Sequence, residues 1–139
     1  MKEQYWISPQ GEVIAVEEHP VKTMIKDAAK FGYTIDEMQM LYAKYSDLNQ
    51  EEGEATKTII EGLVEKGWAY CFHKNEQQDW RIEVNRLDKH TRYNLKQWAA
   101  YMLDKKLIDM DTNVRYYRHV KKDRVKKSIR QLIDDELFM

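Results

Sequence analysis

The chain has 139 residues with a formal net charge of −1, and 34% of its residues are charged. This length fits one domain, and 42% hydrophobic residues are enough to form a core, so we expect a single domain spanning residues 1–139. The near-neutral balance favours neither a nucleic-acid binder nor a membrane-surface protein. No apolar run approaches the ~20 residues that cross a bilayer, and the first residues lack the apolar segment of a secretory signal. A single cysteine, Cys71, fits a reducing compartment, so we expect a cytoplasmic protein without membrane partners.

The charges are unevenly distributed along the chain. Residues 1–70 carry 7 basic and 13 acidic side chains, whereas residues 71–139 carry 16 basic and 11 acidic ones. Eight of the basic residues lie between Arg115 and Arg130, opposed only by Asp123. A chain with one acidic and one basic end could self-associate or bind an acidic partner.

The first predicted element is a hairpin over residues 5–16. Ser8-Pro9-Gln10-Gly11 has the composition of a type I turn, with Pro at the second corner and Gly at the fourth. The flanking segments, 5–7 and 13–16, are apolar and rich in β-branched or aromatic residues, which favours strands.

Helical spacing of apolar residues dominates the next fifty positions. Thr34 and Glu37 form a capping-box pattern that marks a helix start. Gly62 lies inside an apolar helical stripe, where it costs up to ~1 kcal/mol relative to Ala, so we expect a close neighbour there. The spacing predicts three helices, near 20–31, 35–48 and 54–66.

A second, aromatic hairpin is predicted from strands at 68–74 and 79–87, which alternate with a period of two. If each strand has one apolar face, Phe72 lies opposite Ile82 and Tyr70 lies opposite Val84. That register places Cys71 against Glu83 and His73 against Arg81 on the other side of the ribbon.

The last third predicts a helix over 89–106 capped by Asp88, then a basic segment. Residues 114–117 could form a fifth strand or begin the last helix, which the apolar stripe places near 122–136. The predicted fold class is therefore α+β, a small antiparallel sheet of two hairpins packed against about five helices. The predicted core is Trp6, Ile25, Leu41, Ile60, Leu63, Tyr70, Phe72, Ile82, Val84, Leu95, Trp98, Met102, Ile129 and Ile133.

Catalytic signatures are weak. Cys71 and His73, with Glu83 opposite, are the one place where a nucleophile, a base and a carboxylate could meet, but a polar strand face with an incidental thiol explains them better. The four histidines have no paired metal-ligand spacing, and the chain has no glycine-rich phosphate loop. We expect no catalytic residue, no metal and no cofactor.

The basic segment is the best binding candidate, because cations neutralise phosphates and aromatic rings stack on unpaired bases. A solvated helix face whose lysines bury their stems is the preferred explanation, and a docking surface for an acidic protein, or for residues 1–70 of another copy of the chain, is a further alternative. The candidate residues are Arg115, Tyr116, Tyr117, Arg118, Lys121, Lys122, Arg124, Lys126, Lys127 and Arg130.

Two motifs carry a resemblance to known proteins. Trp6-Ile7-Ser8-Pro9-Gln10-Gly11-Glu12-Val13-Ile14, followed by Glu61-Gly62-Leu63-Val64-Glu65-Lys66-Gly67-Trp68 and an aromatic hairpin, is similar to small uncharacterised proteins of tailed bacteriophages. The likeness spans about the first hundred residues and excludes the basic segment. It implies a viral origin and expression in bacterial cytoplasm, and it brings no activity or catalytic residues.

These observations lead to three functional hypotheses. The first is a non-catalytic, phage-type accessory protein that acts by binding an unknown protein partner. The second is a nucleic-acid-binding protein that uses residues 115–130. The third is a thiol-dependent enzyme at Cys71 and His73.

Overall fold

The structure is a computed structural model that describes residues 4–16, 24, 27–47, 52–73 and 79–134, with only the backbone described at 41–42, 44–47 and 52–56. Its strands are β1 (Gln4–Ile7), β2 (Val13–Ala15), β3 (Ala69–Phe72), β4 (Trp80–Val84), β5 (Asn113–Arg118) and β6 (Asp123–Ser128). Within these residues the helices are α1 (Ile35–Asp47), α2 (Glu52–Glu65), α3 (Lys89–Asp104) and α4 (Ile129–Asp134).

The six strands form one sheet in the order β2-β1-β3-β4-β5-β6. Neighbouring strands are antiparallel except β4 and β5, which are parallel. The predicted arrangement, a small antiparallel sheet of two hairpins packed against about five helices, is therefore wrong. A third hairpin, β5–β6, extends the sheet, and α3 provides the long crossover that a parallel pair requires.

The first hairpin forms as predicted. The amide of Gly11 donates to the carbonyl of Ser8 at 2.9 Å, and the Ser8 hydroxyl accepts from the amides of Gln10 and Glu12 at 3.2 and 2.9 Å. Gly11 has φ +89°, and a Cβ there would lie 3.0 Å from the Asn94 side-chain oxygen. The Asn94 amide donates to the Pro9 carbonyl at 2.9 Å, so this turn is fixed against α3.

The helices predicted near 35–48 and 54–66 are confirmed as α1 and α2, within one or two residues. The capping box at the start of α1 is reciprocal: the Glu37 amide donates to the Thr34 hydroxyl, and the Thr34 amide donates to the Glu37 carboxylate, both at 3.1 Å. Half of the helix predicted near 20–31 lies outside the described residues, and Met24 is helical. Its described end, residues 27–31, forms turns.

The predicted register of the second hairpin is wrong by one residue. Phe72 lies opposite Arg81, Cys71 opposite Ile82, and Tyr70 opposite Glu83. The prediction assumed one apolar face per strand. All four residues of β3 are instead buried or partly buried, because helices cover that strand on both faces.

The helix predicted over 89–106 is confirmed as α3, and Asp88 caps it by accepting the Thr91 amide at 2.8 Å. Of the two alternatives for residues 114–117, the strand is confirmed. The last helix, predicted near 122–136, is wrong at its start, since residues 123–128 form β6 along β5. α4 begins only at Ile129, where Ser128 and Gln131 form a second capping box at 2.8 and 3.1 Å.

Two cores lie on opposite faces of the sheet. On the α3 face, Leu95, Trp98 and Met102 pack with Ile129 of α4 onto β1, β3, β4 and β5. On the α2 face, Ile60 and Leu63 pack with aromatic residues of β1 and β3. Of the predicted core, the buried residues are Trp6, Ile60, Leu63, Tyr70, Ile82, Val84, Leu95, Trp98, Met102 and Ile129.

The remaining predicted core residues divide into two groups. Phe72 and Ile133 are partly buried at the margins of the two cores. The Ile25 residue and the Leu41 side chain lie outside the part of the chain that the structure describes. None of the described helices is both long and apolar enough to cross a membrane.

Candidate functional site

The open region of the sheet lies on the α2 face, where α2 contacts β3 and β4 but leaves β5 and β6 uncovered. A cavity of about 690 Å³ occupies this region, and we call it the groove. α2 supplies one wall, the strands supply the floor, and the β5–β6 turn closes one end. Its lining residues are Lys57, Glu61, Glu65, Phe72, Arg81, Ile82, Glu83, Asn85, Arg115, Tyr117, His119, Val120, Lys122 and Arg124.

Three cations lie side by side on β4, β5 and β6: Arg81 and Arg115 line the groove, and Lys126 continues the row on the edge strand. Arg81 of β4 is the register partner of Arg115 of β5, and Arg115 is the register partner of Lys126 of β6. We call Arg81, Arg115 and Lys126 the cationic row. Adjacent strands are ~4.8 Å apart, so the row spans about 10 Å. Like charges in register destabilise a sheet, which makes this arrangement unfavourable without a counter-charge.

Within the described residues, an ion pair gives a counter-charge only to the middle cation of this row, Arg115. Asp79 accepts from Arg115, with Nε and Oδ2 3.0 Å apart. Arg81 is partly buried, and its Nε is shielded from solvent and has no hydrogen-bond partner. Among the described residues, Arg81 therefore carries a charge that is partly desolvated and not neutralised, which is costly.

A second row, two residues further along the strands, joins Glu83, Tyr117 and Arg124. The Arg124 guanidinium lies over the Tyr117 ring at 5.2 Å from its centre, a cation–π contact. The His119 ring meets Tyr117 edge-on at 4.8 Å. Tyr117 is partly exposed and lines the groove, so this row offers an aromatic surface next to the cationic row.

The Glu83 carboxylate and His119 form a hydrogen-bonded pair, with Oε1 and Nε2 2.9 Å apart. Within the described residues, no hydrogen bond or ion pair joins Glu83 to Arg81. On α2, Lys57, Glu61 and Glu65 repeat every four residues and so share one face of the helix. We call Glu61 and Glu65 the acidic wall.

The structure separates the ten predicted binding residues instead of placing them on one helix. Arg115, Tyr117, Arg124 and Lys126 share the α2 face of the β5–β6 hairpin, whereas Tyr116, Arg118 and Lys127 share its α3 face. The turn between the strands contains Lys121 and Lys122. Arg130 lies on α4 and pairs with Asp111 at 3.5 Å.

Two of the predicted residues have structural roles. Tyr116 is buried in the core of the α3 face. Arg118 forms a two-pronged ion pair with Asp123 beside the turn of the hairpin, with its Nε 2.8 Å from Oδ1. Hydrogen bonding to Arg118 holds the pKa of the Asp123 carboxyl below its ordinary value. The α3 face of this hairpin is thus used for folding.

Sequence reasoning missed the groove residues outside segment 115–130. Glu83 was considered only as the carboxylate of the thiol site and Arg81 only as part of the polar side of a strand, and Lys57 and Glu61 were given no binding role. Alternation along β4 already placed Arg81 and Glu83 on one face. Their position beside β5 depends on the parallel crossover through α3, which the local sequence pattern does not indicate.

The predicted thiol site is not assembled. Cys71 is fully buried in the core of the α3 face opposite Ile82, and burial raises the pKa of its thiol. His73 stacks on Trp80, with ring centres 4.8 Å apart. A buried thiol with a raised pKa is a poor nucleophile. In the described part of the chain, no three His, Cys, Asp or Glu side chains cluster as metal ligands would.

Comparison with known proteins identified no relative of this chain. No family model matches the chain, and neither a curated protein nor a solved structure matches it.

Proposed function

We propose that this protein binds nucleic acid through the groove. The observation that carries the proposal is Arg81, a partly buried guanidinium placed in register with Arg115, whose Nε has no acceptor among the described residues. A backbone phosphate would supply the missing counter-charge. Because Arg81 is partly desolvated, its attraction to an anion is less screened than that of a surface lysine. Guanidinium groups also match phosphate oxygens in geometry.

The rest of the groove suits a polymer better than a single small anion. The cationic row runs across three strands, so it can contact more than one phosphate. Tyr117 and Arg124 add an aromatic surface beside it, as in proteins that hold bases against rings. The acidic wall can accept hydrogen bonds from exocyclic amino groups of bases. The groove thus places cations that can bind phosphates beside carboxylates and an aromatic ring that can bind bases.

A second candidate is an accessory protein that binds a protein partner. The charge difference between the halves of the chain, −6 for residues 1–70 and +5 for residues 71–139, favours it, since the acidic wall and the cationic row belong to opposite halves. The resemblance to small phage proteins supports either role in the cytoplasm of an infected bacterium. The exposed Val120 at the groove's end would suit a protein partner.

The test is the salt dependence of binding to a short fluorescent oligonucleotide, followed by anisotropy from about 50 to 200 mM salt. Each phosphate contact contributes about 0.7–0.9 to the slope of log affinity against log salt concentration. We expect a slope of about −2 to −3 from three cations. Arg81→Gln should reduce its magnitude by about 0.7–0.9 and weaken binding about tenfold or more at low salt.

The matched control is Arg130→Gln, which removes the same charge from α4, on the far face of the sheet. It should leave the affinity and the slope unchanged. Equal losses from both variants would show that binding follows net charge and not the groove. Absence of binding at low salt would reject the nucleic-acid function and leave the protein partner as the remaining candidate.

Thermal unfolding provides an independent check on Arg81. Removing an uncompensated, partly buried charge should leave the melting temperature unchanged or raise it. A clear drop in melting temperature on Arg81→Gln would mean that the guanidinium stabilises the fold, and the argument from its missing partner would fail.

A further inference from the structure

We infer that the groove selects single-stranded nucleic acid, holding a phosphate on the cationic row and stacking the adjoining base on Tyr117. This inference rests on the proposed function and specifies its ligand. Its basis is the spacing of two rows of side chains on one face of the sheet, the first cationic and the second aromatic.

The spacing fits one nucleotide. Arg115 and Tyr117 are two residues apart on β5, so their side chains leave the same face about 7 Å apart along the strand. A phosphate on Arg81 and Arg115 therefore places its sugar over the floor between the rows and its base over Tyr117. The Arg124 guanidinium covers one face of the Tyr117 ring, so the base stacks on the opposite face of the ring or takes the place of the guanidinium.

Base pairing is incompatible with this contact. In a duplex the faces of the bases are covered by their neighbours in the stack, so only edges and phosphates are accessible. Tyr117 could not stack on a paired base unless that base left the helix. A single strand offers its bases at no such cost.

The walls of the groove also disfavour a duplex. At about 690 Å³ the cavity has the size of a small-ligand site, large enough for a few nucleotides of one strand. A second phosphate backbone would approach Glu61 and Glu65 of the acidic wall, with which it shares charge sign. Bases with amino groups can instead donate to these carboxylates.

The experiment compares three fluorescent probes of matched sequence: single-stranded DNA, single-stranded RNA and duplex DNA. We expect both single strands to bind at least about tenfold more tightly than the duplex at equal salt. Tyr117→Leu should weaken single-strand binding by about 5- to 150-fold, the range for loss of one stacked base, and leave duplex binding unchanged. Tyr117→Phe, which keeps the ring, should stay within about twofold of the unmodified protein.

Each other outcome has a definite meaning. Equal affinity for duplex and single strand, with no effect of Tyr117→Leu, would overturn this inference while the proposed function stood. Binding of none of the probes would reject the proposed function itself. If poly-glutamate displaces the probes as well as unlabelled oligonucleotide does, charge for charge, the groove accepts an acidic protein segment and both proposals fail.

A second measurement avoids substitutions altogether. Ultraviolet cross-linking of the unmodified protein to the single strand, followed by peptide mapping, should place the cross-link at Tyr117. Cross-links confined to peptides on the α3 face of the sheet would contradict the inference whether or not Tyr117→Leu folds.

Discussion

Lys106 ends α3 in a conformation that side chains seldom adopt. Its φ is +60°, in the left-handed region. The amide of Lys106 donates to the Leu103 carbonyl and that of Leu107 to the Met102 carbonyl, both at 3.0 Å. This pair of bonds is the Schellman motif, which usually has Gly at the left-handed position because Gly lacks a Cβ.

Replacing this residue should therefore stabilise the protein. We expect Lys106→Gly to raise the free energy of unfolding by roughly 0.5–1 kcal/mol, measured by urea denaturation, since the left-handed strain exceeds the extra chain entropy of Gly. The control is Lys105→Gly, one residue earlier at φ −81°, which should lower it by about 0.5–1 kcal/mol. Equal effects of the two substitutions would contradict the assignment of strain to Lys106.

Single residues vary in how much the sequence reveals about them. The costly Gly62 inside α2 predicted a close neighbour, and a Cβ there would lie 3.1 Å from the Tyr33 hydroxyl. The pairing of Arg81 with Arg115 was not predictable in the same way. A glycine inside a helix violates a local rule, whereas two arginines become neighbours only through the three-dimensional fold.

Among the elements, helix starts were best predicted because their signal is local. Thr34 with Glu37 and Asp88 were both recognised, and both form the expected bonds. The same reasoning could have found Ser128 and Gln131, which mark the start of α4 and so the end of β6. The apolar stripe extending from Val125 obscured that boundary, since Val125 packs against the core from a strand.

The cap of α3 has a testable energetic contribution. Asp88→Ala should lower the free energy of unfolding by about 1 kcal/mol, because the Thr91 amide loses its acceptor. Asp88→Ser keeps a capping oxygen and should recover most of that loss. Urea unfolding measures both variants. An Asp88→Ala protein as stable as the original would mean that solvent satisfies this amide equally well.

Strand registers were harder to predict than helix starts. The period-two rule assumes that each strand buries one face, and this holds for β4, with Trp80, Ile82 and Val84 buried in alternation. It fails for β3, which is covered on both faces and offers no polar side to fix the register. The error carried over to Cys71, which was placed on a polar face and lies in the core instead.

At the scale of the whole molecule, the sheet is covered unequally. Helices α3 and α4 pack along the α3 face, whereas α2 reaches only part of the other face. The sequence predicted β1 to β4 and α1 to α3, left β5 as one of two alternatives and missed β6, and it did not show which strands would stay uncovered, because that depends on strand order. The binding role of the basic segment stays a prediction, and only its alternate residues, Arg115, Tyr117, Arg124 and Lys126, share the open face.

The buried thiol predicts how global stability depends on pH. Burial raises the pKa of Cys71, so the folded protein keeps its proton above the ordinary value of 9.0, where the unfolded chain releases it. The unfolded state therefore binds fewer protons at alkaline pH, and stability falls as pH rises. The effect is absent well below pH 9, where both states are protonated.

The comparison with Cys71→Val isolates this contribution. Between about pH 8 and pH 10, the free energy of unfolding should fall by about 1.4 kcal/mol more for the unmodified protein than for the variant. The pKa of Tyr70 is also raised, chiefly by burial and to a smaller extent by Glu83 and Cys71, so the main part of its contribution is common to both proteins. Urea unfolding across this range measures the difference. Parallel pH profiles for the two proteins would contradict a protonated, buried thiol.

The parallel pairing of β4 with β5 has a consequence for assembly. Arg81 and Arg115 meet only after the intervening chain, including all of α3, has crossed the sheet and docked. No fragment that ends before β5 can contain both guanidinium groups. This pair can therefore bind a ligand only in the fully folded protein. Oligonucleotide added during refolding should bind the molecules that have folded and should not accelerate the folding steps that precede the pairing of β4 with β5.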